Sequence, residues 1–308
     1  ELREIISEKL EKENNLKYSS DQIVVSNGAK HSLFNIFLAI LNLGDEVIIP
    51  SPYWVSYPEM VKIAGGVPVF CQWNEKFKID IDNLKSLINK KTKAIVINSP
   101  SNPTGIVYTK EELKEIAEIL IKNNILCISD EVYEKIIYEQ KHISIASLSD
   151  EIKKLTITVN AVSKTFAMTG WRIGYIAGEK EIIKAVSKIQ SQTTSAPCSI
   201  SQKAAYFAIK EGEKFYKNMV EEFKRRRNFI VENLSKKISF PYPEGTFYLF
   251  LTFNDMDSEI FSKRLLEEKY ISVVPGKEFG AEKFIRISYA TSMENLKEGI
   301  EKINQFVR

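Results

Sequence analysis

The sequence predicts an α/β fold: a large domain with a mostly parallel sheet sandwiched by helices, followed by a smaller α+β domain. Three observations carry this expectation. Short β-branched runs alternate with longer helical patterns up to about Glu211, the signature of strands joined by helices. Runs such as Ala94–Asn98 are almost wholly apolar, as in strands covered on both faces. At 308 residues the chain exceeds the ~250–300 residues at which a single core stops growing. The change of pattern after Glu211 places the division between residues 1–212 and 213–308.

The elements follow in order. Leu2, Ile5, Ile6 and Leu10 recur at helical spacing, so the chain opens with an amphipathic helix. Ile23–Val25 reads as a strand, Ala29–Leu41 as a helix, Glu46–Ile49 as a strand, Ser56–Ala64 as a helix and Val67–Phe70 as a strand. Ala94–Asn98 and Leu126–Asp130 are buried strands flanking a helix over Lys110–Asn123. Leu155–Asn160 and Ile173–Ala177 complete the first set. A long charged helix then runs from about Glu211 to Lys237, through Arg225-Arg226-Arg227. Phe247–Leu251, Ile271–Val274 and Phe284–Tyr289 read as strands, with helices near Ser258–Lys269 and at the carboxyl end.

Composition narrows the function. A net charge of +3, with acids and lysines interspersed, gives no basic stripe for nucleic acid. No apolar run approaches the ~20 residues of a membrane span. The three cysteines, Cys71, Cys127 and Cys198, are widely spaced and form no disulfide framework, so a cytoplasmic setting is expected. With only His31 and His142 present, neither a multi-histidine metal site nor a Ser-His-Asp triad is expected. Acid–base chemistry falls to Lys, Tyr or a cofactor.

Sheets of this kind bind ligands at the carboxyl ends of their strands, and the chemically capable residues gather there. Lys164 follows a strand in apolar company, where desolvation makes an amine easier to deprotonate. Arg172 lies between Gly170 and Gly174. Asp130 ends a buried strand, with Tyr133 three residues on. A carboxylate so placed can pair with a pyridinium nitrogen. Asn102 lies in the turn Asn98–Gly105, and Gly28, Ala29 and Lys30 open a helix, where backbone N–H groups can hold a phosphate. Trp54 offers a flat face after another strand. Arg286 sits inside an apolar strand, where a guanidinium needs an anionic partner.

Together, in this order, the segments resemble the class I aminotransferases among fold-type I pyridoxal-phosphate (PLP) enzymes, nearest to their bacterial aspartate aminotransferase branch. The motifs are Asn27-Gly28-Ala29-Lys30, Ser51-Pro52-Tyr53-Trp54, Asn102-Pro103-Thr104-Gly105, Asp130-Glu131-Val132-Tyr133, Ser163-Lys164 through Gly174, Pro243-Glu244-Gly245-Thr246-Phe247-Tyr248 and Arg286-Ile287-Ser288-Tyr289-Ala290. They span the chain, and the lysine-to-arginine segment is the most specific. The resemblance implies ping-pong transamination between an aspartate-like or aromatic L-amino acid and a 2-oxo acid such as 2-oxoglutarate. It implies that Lys164 carries PLP as a Schiff base and that Asp130 keeps the ring nitrogen protonated. Tyr133 and Asn102 would bond the phenolic oxygen, Trp54 would stack on the ring, and Arg172 with Gly28, Ala29 and Lys30 would hold the phosphate. Arg286, with Trp54 and Asn102, would bind substrate, the smaller domain closing over it.

The resemblance further implies a homodimer, with Ser191–Ser195 as a candidate interface loop, and cis bonds at Ser51–Pro52 and Asn102–Pro103. Three departures stand against the family pattern. Ala161 replaces a phosphate-touching serine. Leu38 stands where some dicarboxylate-preferring relatives have a polar side chain. The chain also opens on Glu1 where relatives already have an amino-terminal segment that contributes to the site. Two rival readings use the same scaffold: a PLP-dependent carbon–sulfur β-lyase, and a non-catalytic PLP-sensing regulator domain.

Overall fold

A computed structural model describes residues 1–253 and 257–307. Helix α1 (Leu2–Asn14) buries Leu2, Ile6 and Leu10 along one face and ends where Asn15 turns left-handed at φ 56°. Seven strands then build one sheet: β1 (Ile23–Ser26), β2 (Glu46–Pro50), β3 (Val67–Cys71), β4 (Thr92–Asn98), β5 (Leu126–Asp130), β6 (Thr156–Ala161) and β7 (Gly174–Ala177), in the order β1-β7-β6-β5-β4-β2-β3. β2 pairs in parallel with β3 and β4, and β5 in parallel with β4 and β6. β7 alone runs against both its neighbours.

Helices α2 (Ala29–Ile40), α3 (Ser56–Ile63), α4 (Ile81–Leu87), α5 (Lys110–Asn123), α6 (Asp150–Leu155), α7 (Val162–Thr165), α8 (Lys180–Thr193) and α9 (Ser199–Glu211) connect and cover these strands. Strand side chains alternate between the faces, as the pleat requires. Val47, Ile49, Val96 and Ile128 pack with Leu33, Ile36 and Phe37 of α2. Ile48, Ile95, Ile97 and Cys127 pack with Leu113, Ile116 and Leu120 of α5. Both faces are therefore buried, which is why these strands read as continuous apolar runs. Helix α5 has clear stops at both ends. Thr109 and Glu112 form a reciprocal capping box, and Asn124 closes the helix at φ 51°.

The remaining elements are α10 (Glu213–Asn233), β8 (Tyr248–Leu251), α11 (Ser258–Lys269), β9 (Val274–Pro275), β10 (Ile285–Ser288) and α12 (Met293–Phe306). The strands form a three-stranded antiparallel sheet in the order β8-β10-β9. Leu249, Leu251, Ile285 and Ile287 pack with Ile230, Leu265 and Ile300 from the three helices.

Several expectations need correction. The strand expected over Ile271–Val274 reduces to Val274–Pro275, because Tyr270 caps α11 in the left-handed region and the Ile271 N–H bonds back to Leu265 O. The helix expected from Glu211 to Lys237 is interrupted at Gly212 and ends at Asn233. Ser191–Thr193, expected in a loop, form the last turn of α8. Helices α4, α6, α8 and α9 fill spans to which the residue pattern assigns no element. Ser51–Pro52 and Asn102–Pro103 are cis as expected, and Ser99–Pro100 is cis as well.

Candidate active site

The register of the parallel strands sets Asn98 beside Asp130, and Asp130 beside Val159. The carboxyl ends of β4, β5 and β6 therefore lie level. A cavity of about 290 Å³ opens there, lined by Ala29, Lys30, Trp54, Asn102, Asp130, Tyr133, Lys164, Arg172 and Arg286 among others. Nine of the ten residues singled out from the sequence thus share one space. The tenth, Gly28, forms the turn at its wall with φ 87°, a conformation that favours glycine.

Asp130 is buried and meets two donors: the Tyr57 hydroxyl at 2.6 Å and the Val132 N–H at 3.3 Å. Burial pushes its carboxyl up to about 6, while the Tyr57 hydrogen bond opposes the rise. No cation pairs with it among the described residues. Asn98 donates to the Asp130 carbonyl at 2.9 Å, and its side-chain oxygen accepts from the Asn102 N–H at 2.8 Å. These bonds tie the β4 turn to the end of β5. The Tyr133 hydroxyl lies 3.2 Å from that of Tyr248, and burial raises its pKa well above the usual phenol value.

Lys164 projects from α7, the single turn that follows β6. Desolvation lowers its pKa first, and the positive charges of Arg286 and Arg172 lower it further. Arg172, at φ 54°, donates to Thr169 O at 2.9 Å and Asn27 O at 3.2 Å. Its guanidinium rests against Gly28, where a Cβ would collide with it. A Cβ on Gly174 would strike the backbone of Gly28 and Ala29. Two glycines thus let β7 and the start of α2 close into a cationic cup.

Arg286 lies on β10 of the second sheet. Its guanidinium sits 4.3 Å from the Tyr248 ring centroid and 4.9 Å from that of Phe279. It donates to Asn102 Oδ1 at 2.9 Å, while its buried Nε has no partner. No carboxylate pairs with it among the described residues, so the donors not used by Asn102 are open to an anion. The Lys30 ammonium sits 4.9 Å from the Trp54 ring centroid, inside the same cavity.

Tyr57, Asn98 and Tyr248 also line the cavity, and the sequence had assigned them no role. Tyr57 could have been noticed three residues after Trp54, on the same side of a helical start. Ala161, marked as a departure, lines the cavity too, whereas Leu38 is not among the lining residues.

Comparison with known proteins decides the family. The family model for aminotransferase class I and II matches residues 1–303. The chain belongs to that family. The aspartate aminotransferase of Bacillus subtilis is 48% identical over 321 residues, covering 100% of this chain and 81% of the relative. A Thermus thermophilus aspartate aminotransferase double mutant superposes with a TM-score of 0.94 at 41% identity, over 99% of this chain and 81% of that one. An aromatic aminotransferase from Pyrococcus horikoshii superposes with a TM-score of 0.95 at 41% identity, over 99% and 84%. The chain is a PLP-dependent transferase that exchanges an amino group between an amino acid and a 2-oxo acid. The residues present fit that cofactor: an amine of lowered proton affinity, a buried carboxylate without a cationic partner, and a glycine-lined cup beside a guanidinium.

Proposed function

We propose that this chain transaminates an acidic L-amino acid of the aspartate type against a 2-oxo acid such as 2-oxoglutarate. One observation carries the reading. Lys164, with its lowered proton affinity, shares a cavity with Arg286, whose fork has no carboxylate partner. A guanidinium so placed suits a bidentate α-carboxylate. The aspartate-type preference is supported by Lys30, a further cation in the cavity, available to a second carboxylate. Leu38, which the resemblance sets against a dicarboxylate preference, is not among the residues lining the cavity.

When bound, PLP supplies the carbonyl that accepts the amino group and a ring that accepts electrons. In this reading Lys164 would carry the cofactor, and its neutral Nζ would take the proton from the α carbon of the donor. Asp130 would keep the ring nitrogen protonated. Tyr133 and Asn102 would donate to the phenolic oxygen, and Trp54 would offer its ring face. Arg172 and the backbone of Gly28, Ala29 and Lys30 would hold the phosphate, and Asn102 orients Arg286. The Ala161 position offers no hydroxyl, so the cup relies on Arg172 and backbone donors.

We further propose a division at Gly212, between α9 and α10, a homodimer and a cytoplasmic setting. The dimer is supported by exposed apolar side chains at Ile200, Phe207 and Phe215. The setting is supported by three free cysteines. Among the described residues, no helix is long and apolar enough to cross a membrane.

The test is formation of oxaloacetate from L-aspartate and 2-oxoglutarate, alongside parallel assays with phenylalanine and tyrosine. Faster turnover of aspartate, with the preference lost in Lys30→Ala, supports the reading. Faster turnover of the aromatic donors overturns the substrate assignment. Release of pyruvate and ammonia from a sulfur amino acid, without amino transfer, would establish the β-lyase instead.

A further inference from the structure

Arg227 on α10 heads the fully buried side chains by volume, at 1% exposure. Burying a guanidinium costs several kcal/mol unless it is paired, and each of the three nitrogens here has a partner. It forms a two-point ion pair with Glu139 and donates to Pro243 O at 2.8 Å and to Asn228 Oδ1 at 2.8 Å. Its two faces are covered by Tyr138 and Tyr242, each ring centroid 4.7 Å away. With its donors committed in this way, the residue is not available to a substrate. Its effect must pass through what it holds.

What it holds is the segment from Tyr242 to Phe247. Glu244 N and Gly245 N donate to Gly105 O at 2.9 and 2.8 Å, and the Glu244 carboxylate accepts from Val107 N at 2.9 Å. The segment is thereby fastened to the turn that carries Asn102. On its other side, Thr246 O accepts from the hydroxyls of Tyr138 and Tyr289, and Phe247 O accepts from Tyr289 N at 2.9 Å. Tyr289 follows Arg286 by three residues at the end of β10. The circuit closes where Arg286 meets Asn102 at 2.9 Å. There is little slack in it: a Cβ on Gly105 would press on Gly245 O and Pro243, and one on Gly245 would press on Ile136 O.

We infer that Arg227 is a positioning residue for the Arg286–Asn102 pair, clamping the Pro243 carbonyl against Tyr138 and Glu139 so that both sides of the carboxylate site keep their spacing. The inference rests on the reading of Arg286 as the anchor for the substrate carboxylate. It sets Arg227 apart from Arg172, which touches the cup at Gly28. Loosening the clamp misplaces the carboxylate site and leaves the cup and Asp130 intact. A displacement of ~1 Å at such a site costs on the order of 100-fold in rate.

The experiment compares the PLP-loaded wild type with Arg227→Lys and Glu139→Gln. Glu139 is half-exposed, so its variant tests the clamp even if Arg227→Lys fails to fold. Three quantities are read: affinity for PLP, kcat/KM for the amino-acid donor, and binding of an α-methylated amino acid that has no α proton to lose. The expected result is a PLP affinity that falls only slightly, through Asn102, with clearly weakened binding of the α-methylated ligand and a ~10–100-fold fall in kcat/KM. The loss with Arg286→Lys should be less than additive, because both variants damage one site. Wild-type values in both folded variants, a parallel loss of PLP affinity, or full additivity with Arg286→Lys would overturn the inference. A wild type whose ligand binding is indifferent to Arg286→Lys would instead overturn the anchor reading on which it rests.

Discussion

Tyr57→Phe is the sharpest perturbation of the site that leaves its shape alone. The Tyr57 hydroxyl is buried and donates to Asp130 at 2.6 Å, and the carboxylate's one other donor here is the longer Val132 N–H at 3.3 Å. A hydrogen bond to a charged acceptor contributes ~1.5–3 kcal/mol, and one pKa unit corresponds to ~1.4 kcal/mol. Removing the hydroxyl therefore raises the Asp130 carboxyl further above about 6, because the Tyr57 hydrogen bond is what opposes the effect of burial. Without that donor the carboxylate is less stable relative to the acid, so its ion pair with a protonated ring nitrogen weakens and more of the shared proton rests on Asp130. The assay is the PLP dissociation constant as a function of pH, by absorbance titration of the two proteins. The variant should bind PLP more weakly than the wild type, with the pH dependence of binding displaced upward. Stability of the cofactor-free protein gives a second readout. The folded pKa of Asp130 lies above its unfolded value of 3.8, so its contribution is fully present below that value and is lost as pH rises through about 6. In the variant the loss should continue to higher pH. Identical pH profiles for the two proteins would refute the reasoning.

Other predictions follow from the same geometry. Gly174→Ala puts a methyl into the backbone of Gly28 and Ala29. An overpacking cost of ~1–3 kcal/mol should appear as a PLP dissociation constant weakened by about one to two decades. Arg286→Lys keeps the charge but loses the fork, and should lower kcat/KM by about 30- to 150-fold, or ~2–3 kcal/mol, in steady-state kinetics with PLP affinity intact. Asp130→Asn should abolish the pH-dependent loss of stability between 3.8 and about 6 in thermal melts of the cofactor-free protein, while weakening PLP binding.

Much of the fold was legible because burial on both faces leaves little ambiguity. Ala94–Asn98 and Leu126–Asp130 show as apolar runs, and polar residues at their carboxyl ends, where the chain leaves the sheet, stand out. The resemblance then supplied roles for Lys164, Arg172 and Arg286. What stayed hidden depended on long-range partners. Tyr57 sits among apolar helix positions like an ordinary core residue, and only the approach of β5 shows its tie to Asp130. Arg227 lies in a run of three arginines that reads as a solvated face. Its neighbour Arg225 is indeed exposed, while Arg227 is enclosed by Tyr138, Tyr242 and Glu139. Ile271 and Val273 looked like strand residues, but they pack on the smaller core without entering the sheet.

The central claim is that Lys164 carries the cofactor and moves the α proton. The most direct test is the absorption spectrum of the wild type and of Lys164→Ala with PLP, before and after adding glutamate. The account predicts that the wild type shows the band of lysine-bound PLP and that glutamate converts it to that of pyridoxamine phosphate. Lys164→Ala should show neither the lysine-bound band nor catalytic conversion. The same band and the same conversion in Lys164→Ala would contradict the account.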